Sequence, residues 1–218
     1  KSIVVDQCLG SRSAVMRSFS FRLFLVLGAF LLLTGFAGER FLENTHYRLV
    51  PGGQATASPE VIEFFSYGCP HCRHVEPEFE KWLATKPANV KVTRIPAAWN
   101  QRFEVLARLY LALQEMGGAE KYSDAIFKAI HDDHKDLFSK ETQIAFLQTL
   151  NVDTKRFGEL YDSPKVNEQI QSSMQEFARY KISGVPGFIV NGKYFTDVTM
   201  GGHGGDLFDV INFLISKG

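Results

Sequence analysis

Cysteine is scarce in this chain: only Cys8, Cys69 and Cys72 occur in 218 residues. That is too few for a scaffold built on disulfides. A surplus of charge is lacking too. Lys and Arg total 24, and so do Asp and Glu, so no basic field points to nucleic acid. Gly201-Gly-His-Gly-Gly205 is not followed by Lys-Ser/Thr, which excludes a phosphate loop. No internal repeat is evident. The longest apolar run, Leu23 to Phe36, falls short of the roughly 20 residues a membrane span needs. What is present is ordinary globular composition, 45% hydrophobic and 22% charged, with 19 Phe. It suffices for one domain with an insertion, or for two small ones.

The short apolar run has another use. Met16 to Arg22 is a small basic lead, and Gly35-Phe36-Ala37 sets small residues around a cleavage point after Ala37. Residues 16–37 read as a secretory signal peptide rather than an anchor, and 1–15 as an over-extended start before Met16. The mature chain then loses Cys8. It is slightly acidic, because Lys1, Arg12, Arg17 and Arg22 leave with one acid, Asp6. Export to an oxidising compartment lets disulfides persist. Yet the remaining pair, Cys69 and Cys72, would close so short a loop that it stabilises little. Handling disulfides suits it better than holding the fold.

The surroundings of that pair agree. Val61 to Ser66 is an unbroken apolar run, the pattern of a strand buried on both faces. Val75, Phe79, Trp82 and Leu83 recur at helical spacing, predicting a helix over 73–85. Cys69 therefore lies where a strand gives way to a helix. Unpaired N–H groups and the positive end of the helix dipole favour a thiolate there. Cys-x-x-Cys also occurs as half of a zinc site. That reading, a zinc-binding module without redox chemistry, needs His131 and His134, which sit at the polar end of a helix.

Residues 89–95 alternate and complete a β-α-β unit with parallel strands. From Ala98 to about Tyr180 every segment reads as helix. The helices are expected over 104–116, 121–131, 139–150, 153–161 and from Ser163-Pro164 onward, with Ser139 and Asp153 as caps. Strand signals return in Gly187 to Thr196, a hairpin with Asn191-Gly192 as a two-residue turn. Asp206 opens a last helix. This order predicts an α/β molecule, a thioredoxin fold over 42–97 and 182–218 with an inserted all-helical domain over 98–181.

Phe64-Phe-Ser-Tyr-Gly-Cys-Pro-His-Cys72 resembles the active-site stretch of the bacterial DsbA family of thiol:disulfide interchange proteins. Ser183-Gly-Val-Pro-Gly-Phe188 resembles that family's cis-proline loop, and the resemblance spans roughly Thr45 to Lys217. An acidic thiol and a strongly oxidising dithiol are what this family is known for. The resemblance implies that Cys69 is the exposed nucleophile, bridged to Cys72 in the resting form. Pro70 and His71 would set its acidity, unlike the Cys-Gly-Pro-Cys of thioredoxins. Val185–Pro186 would be a cis peptide facing the disulfide, leaving the Val185 N–H and C=O for an extended substrate. Glu63, an acid inside a buried strand, would move the Cys72 proton. Glu76, one turn after Cys72, reads as an exposed helix glutamate, and His74, His131, His134 and His203 as solvated.

The same resemblance implies a periplasmic monomer acting on unfolded or newly exported cysteine-containing proteins. It would be reoxidised by a quinone-linked membrane partner of the DsbB type, with no metal or organic cofactor. A disulfide isomerase or reductase of the same fold is the alternative. Its usual dimerisation domain has no room in the lead-in 38–59.

Overall fold

Strand β2 (Glu60–Phe65) is the spine of the molecule, because its apolar side chains are covered on both faces. The computed structural model describes residues 39–201 and 206–218. The expected signal segment, Cys8, the His203 loop and the Asp206 side chain lie outside what is described. Residues 41–218 form one compact unit.

In chain order the elements are β1 (Arg48–Leu49), β2, α1 (Pro70–Thr85), β3 (Lys91–Pro96), α2 (Gln101–Glu115), α3 (Ala119–His131) and α4 (Lys140–Thr149). Then come α5 (Thr154–Tyr161), α6 (Pro164–Arg179), β4 (Gly187–Val190), β5 (Tyr194–Asp197) and α7 (Asp206–Lys217). The five strands form one sheet in the order β1-β5-β4-β2-β3. β2 runs parallel to β3, as a β-α-β crossover requires, and antiparallel to β4. This is a thioredoxin fold with a helical insertion.

One face of β2 packs through Val61 against Val75, Phe79 and Trp82 of α1 and Val210, Ile211 and Leu214 of α7. Ile62 and Phe64 point the other way, onto Phe177, Tyr180 and Ile182. The helices of the insertion share a third cluster, which includes Leu109, Phe127, Leu147, Phe157 and Val166. That cluster reaches Phe65, Tyr67 and Cys72, so the inserted helices and the strand-to-helix junction share one body of packing.

Local chemistry sets most boundaries. Ser139, Asp153 and Ser163 each accept a hydrogen bond from the N–H three residues on, and so cap α4, α5 and α6. At α4 the box is completed by Thr142. Two expectations need correcting. Helix α1 begins at Pro70 rather than at 73, because Pro suits a first turn whose N–H would be unpaired anyway. The β4–β5 turn has three residues, not two, since Val190 pairs with Tyr194 and leaves Lys193 in the turn. Asn191 and Gly192 both take positive φ there, 51° and 68°. A Cβ on Gly192 would lie 2.4 Å from the Gln54 carbonyl, which no side chain tolerates.

Candidate active site

The end of β2 and the start of α1 are joined by a turn that Ser66 holds in place. Its hydroxyl accepts the Gly68 N–H at 3.1 Å and its carbonyl accepts the Cys69 N–H at 3.1 Å. Cys69 thereby becomes the N-cap of α1, with extended backbone, and Pro70 takes the first helical position. The Cys72 N–H points back at the Cys69 sulfur, 3.4 Å away. A thiol used as a cap in this way is a stronger acid than a free one, because the N–H groups stabilise its anion.

The two thiols, both free in this structure, are driven apart. Cys69 falls from an ordinary 9.0 to about 6. The Cys72 thiol donating to it is the largest cause; burial opposes the shift, and the backbone N–H groups of Cys72 and His71 and the charge of His71 assist. Cys72 moves the other way, well above 9.0, first through burial, then through Cys69 and the Glu63 carboxylate. Neither sulfur is widely open. Cys69 keeps 8% of its surface and Cys72 only 1%, so the expected exposed nucleophile is a narrow opening at the helix end. His71 and Pro70 are exposed beside it.

Across from Cys69 lies the Val185–Pro186 loop, and that peptide is cis. The Val185 carbonyl accepts the Cys69 thiol at 3.2 Å. The expected substrate-facing carbonyl is thus occupied by the protein itself while Cys69 carries a proton.

Below Cys72 is a buried charged cluster that the sequence revealed only in part. Glu63 and Arg94 are register partners on the parallel strands β2 and β3. The Glu63 carboxylate accepts Arg94 Nε–H at 2.6 Å. The other end of the guanidinium takes Glu76 in a fork, at 3.0 and 2.6 Å. Ser123 of α3 donates to Glu76, and Arg94 sits over the rings of Phe65 and Phe79, 4.3 and 4.9 Å from their centroids. Burial raises Glu63 from 4.5 to about 7, against the pull of Arg94 and with the help of Glu76.

Glu76 is therefore not the exposed glutamate expected of it; it is 1% exposed. The signal was its phase, since Glu76 falls on the helix face of Cys72, Val75 and Phe79. Arg94 and Ser123 were missed. Arg94 follows Val90 and Val92 at period two, so it occupies an inward phase that invites an apolar reading. His131 is not simply solvated either. Its Nε2 lies 2.8 Å from the Tyr67 carbonyl, so Nε2 carries the proton, and its ring stacks on Phe127. His74 and His134 are exposed, as expected.

A dithiol at a strand-to-helix junction of a thioredoxin fold, faced by a cis-proline loop, defines a thiol:disulfide oxidoreductase. Comparison with known proteins gives the family. The DSBA-like thioredoxin domain matches residues 60–211, and the chain belongs to that family. The thiol:disulfide interchange protein DsbA of Pseudomonas aeruginosa is 35% identical over 158 residues, which cover 72% of this chain and 75% of that protein. The DsbA of Azotobacter vinelandii is 35% identical over 181 residues, 83% of each. Among solved structures, Pseudomonas aeruginosa DsbA superposes with a TM-score of 0.78 at 31% identity, covering 83% of this chain and 95% of that one.

Proposed function

We propose that this oxidoreductase works as an exported oxidase, passing a Cys69–Cys72 disulfide to newly translocated proteins. The observation that carries the direction is the placement of the two thiols, Cys69 capping α1 with the Cys72 N–H on its sulfur and Cys72 buried behind it, which makes Cys69 the stronger acid. A low thiol pKa makes Cys69 a good leaving group and stabilises the dithiol product, which makes the disulfide a stronger oxidant. A substrate thiolate attacks the Cys69 sulfur, the Cys69–Cys72 bond breaks, and Cys72 leaves as a thiolate that takes up a proton. Glu63, raised to about 7, holds a proton part of the time at neutral pH and is the nearby source. A second substrate thiolate then attacks the substrate sulfur of the mixed disulfide and expels Cys69 as thiolate. Two electrons pass from the substrate dithiol to the protein.

Pro70 holds the first turn so that the N–H groups of His71 and Cys72 face the Cys69 sulfur, and His71 adds its charge. Val185 and Pro186 guide an extended substrate. In the disulfide form Cys69 has no S–H, so the Val185 carbonyl is released for strand-like pairing with the incoming chain. The dithiol form takes that acceptor back only when Cys69 is protonated, below about pH 6.

The rest of this reading follows the family. It is a periplasmic monomer delivered by the 16–37 signal segment, with 98–181 as the inserted domain in a 42–97 and 182–218 frame. It is reoxidised by a DsbB-type, quinone-linked membrane partner and needs no cofactor. Equilibration in glutathione buffers tests the direction. The midpoint is expected well above that of thioredoxin, about −270 mV; a value close to thioredoxin's would make the protein a reductant.

A further inference from the structure

A cavity of about 550 Å³ opens beside Gly68 and Pro70, the residues on either side of Cys69. Its far wall is the first turn of α2 and the loop that follows α3. This loop is anchored: the Lys135 N–H reaches the Ala129 carbonyl at 2.7 Å, and His131 is tied to Tyr67.

The wall is cationic, with Lys135 also lying 5.2 Å from the centre of the Phe146 ring and acting on Asp133. Arg102 and Lys135 both line the cavity, both are exposed, and neither enters an ion pair among the described residues. Arg102 is nonetheless held in place, with its guanidinium 3.6 Å from the centre of the Phe138 ring. Asp136 is the lining carboxylate, and its Oδ1 already accepts the Phe138 N–H at 2.9 Å. The cations nearer the dithiol are matched instead. Arg73 pairs with Asp124 and Asp132 at 2.7 Å each, and Arg94 with Glu63 and Glu76.

We infer that this cleft is a subsite for an acidic side chain of the polypeptide being oxidised, one that lies next to its reacting cysteine. The inference rests on the oxidase reading and adds a preference to it. While a substrate cysteine is bonded to Cys69, its chain neighbours pass the mouth of the cleft. A carboxylate there meets a planar guanidinium, which binds it in a fork, and an ammonium beside it. The same two charges draw acidic segments toward Cys69 before the bond forms. The volume suits one or two side chains rather than a folded surface, so the partner is an unfolded segment.

The test uses two dithiol peptides that differ only in the residues flanking one cysteine, Asp in one and Asn in the other. The rate of oxidation by the full disulfide-form protein is measured at low salt. Each rate is divided by that of the same peptide with a small uncharged disulfide, which removes the effect of Asp on the cysteine's own acidity. The Asp peptide is expected to react about five-fold faster, the size that two partly exposed ion pairs supply. In Arg102→Gln/Lys135→Gln the ratio should fall to about one with the Asn peptide unchanged, and Arg102→Glu/Lys135→Glu should disfavour the Asp peptide. Lys81→Gln/Lys193→Gln removes the same charge from positions outside the cleft lining and should keep the ratio. Equal rates in the parent protein, or an equal collapse in Lys81→Gln/Lys193→Gln, overturn the subsite and leave the oxidase reading standing. Oxidation of neither peptide overturns both.

Discussion

Cys69 is the group to perturb with pH, and the reduction potential is the quantity that reads it. While both thiols of the reduced form are protonated, two protons accompany two electrons and the midpoint falls about 60 mV per pH unit. Once Cys69 ionises only one proton is taken up, and the slope halves to about 30 mV. The Cys69 value of about 6 puts the bend there rather than at an ordinary 9.0. Cys72, raised well above 9.0, adds no second bend in the neutral range. The sign follows from which form is charged. The thiolate belongs to the dithiol form, so ionisation stabilises that form above pH 6 and makes the disulfide the stronger oxidant. One unit above the bend the gain over an ordinary thiol is about 30 mV, or about 1.4 kcal/mol; by pH 9 it is about 80 mV. The assay is the glutathione midpoint between pH 5 and pH 8, with thiolate absorbance as an independent reading of Cys69. A straight line of about 60 mV per unit through pH 8 refutes the reasoning. A bend near 7 that vanishes in Glu63→Gln would instead assign the proton to Glu63.

Two further outcomes concern the buried cluster. Arg94→Met strands two buried carboxylates and should cost about 3–5 kcal/mol in urea unfolding at neutral pH; the cost should shrink at pH 5, where Glu63 takes up a proton, and an equal cost at both pH values counts against the cluster. Glu63 has a raised folded value, about 7 against 4.5, so its contribution is present below 4.5 and is lost as pH rises through 7. Glu63→Gln should therefore match the parent near pH 4 and exceed it by about 3 kcal/mol at pH 8, again by urea unfolding; a variant weaker than the parent at pH 8 would mean the carboxylate is held by Arg94 more firmly than burial opposes it.

The parts of this molecule that local chemistry decides were legible in its sequence. Ser139, Asp153 and Ser163 cap the helices they precede. The β-α-β order, the parallel strands and Cys69 at a helix start follow from periodicity and from Pro70. Glu63 was visible because an acid interrupts an otherwise apolar strand. Its counter-charge was not, because Arg94 becomes Glu63's partner only through the register of two strands separated by a helix. Glu76 and His131 failed for a similar reason. A polar residue on a helix is exposed by default, and only the tertiary partner, Arg94 for one and the Tyr67 carbonyl for the other, shows that it is not. The β4–β5 turn was misread because Asn-Gly is the strongest two-residue signal, yet strand pairing decides which residues the turn contains.

The β-α-β unit builds both halves of the chemistry at once, and this explains why one thiol ionises and its neighbour does not. At Cys69 the environment is positive. The Cys72 thiol and the helix N–H groups converge on the sulfur, and among the described residues nothing anionic is paired with it. At Cys72 the environment is apolar, and the Glu63 carboxylate, which shares its guanidinium with Glu76, adds negative charge when ionised. The sulfurs are joined by one turn of α1, so the field changes sign across the dithiol. Either half alone would shift one thiol. Together they fix the order of ionisation: Cys69 is the stable anion and Cys72 the proton acceptor. Moving the acids elsewhere would weaken this asymmetry even with Cys69-Pro-His-Cys72 intact, so the motif sets the chemistry only in combination with the strand register beneath it.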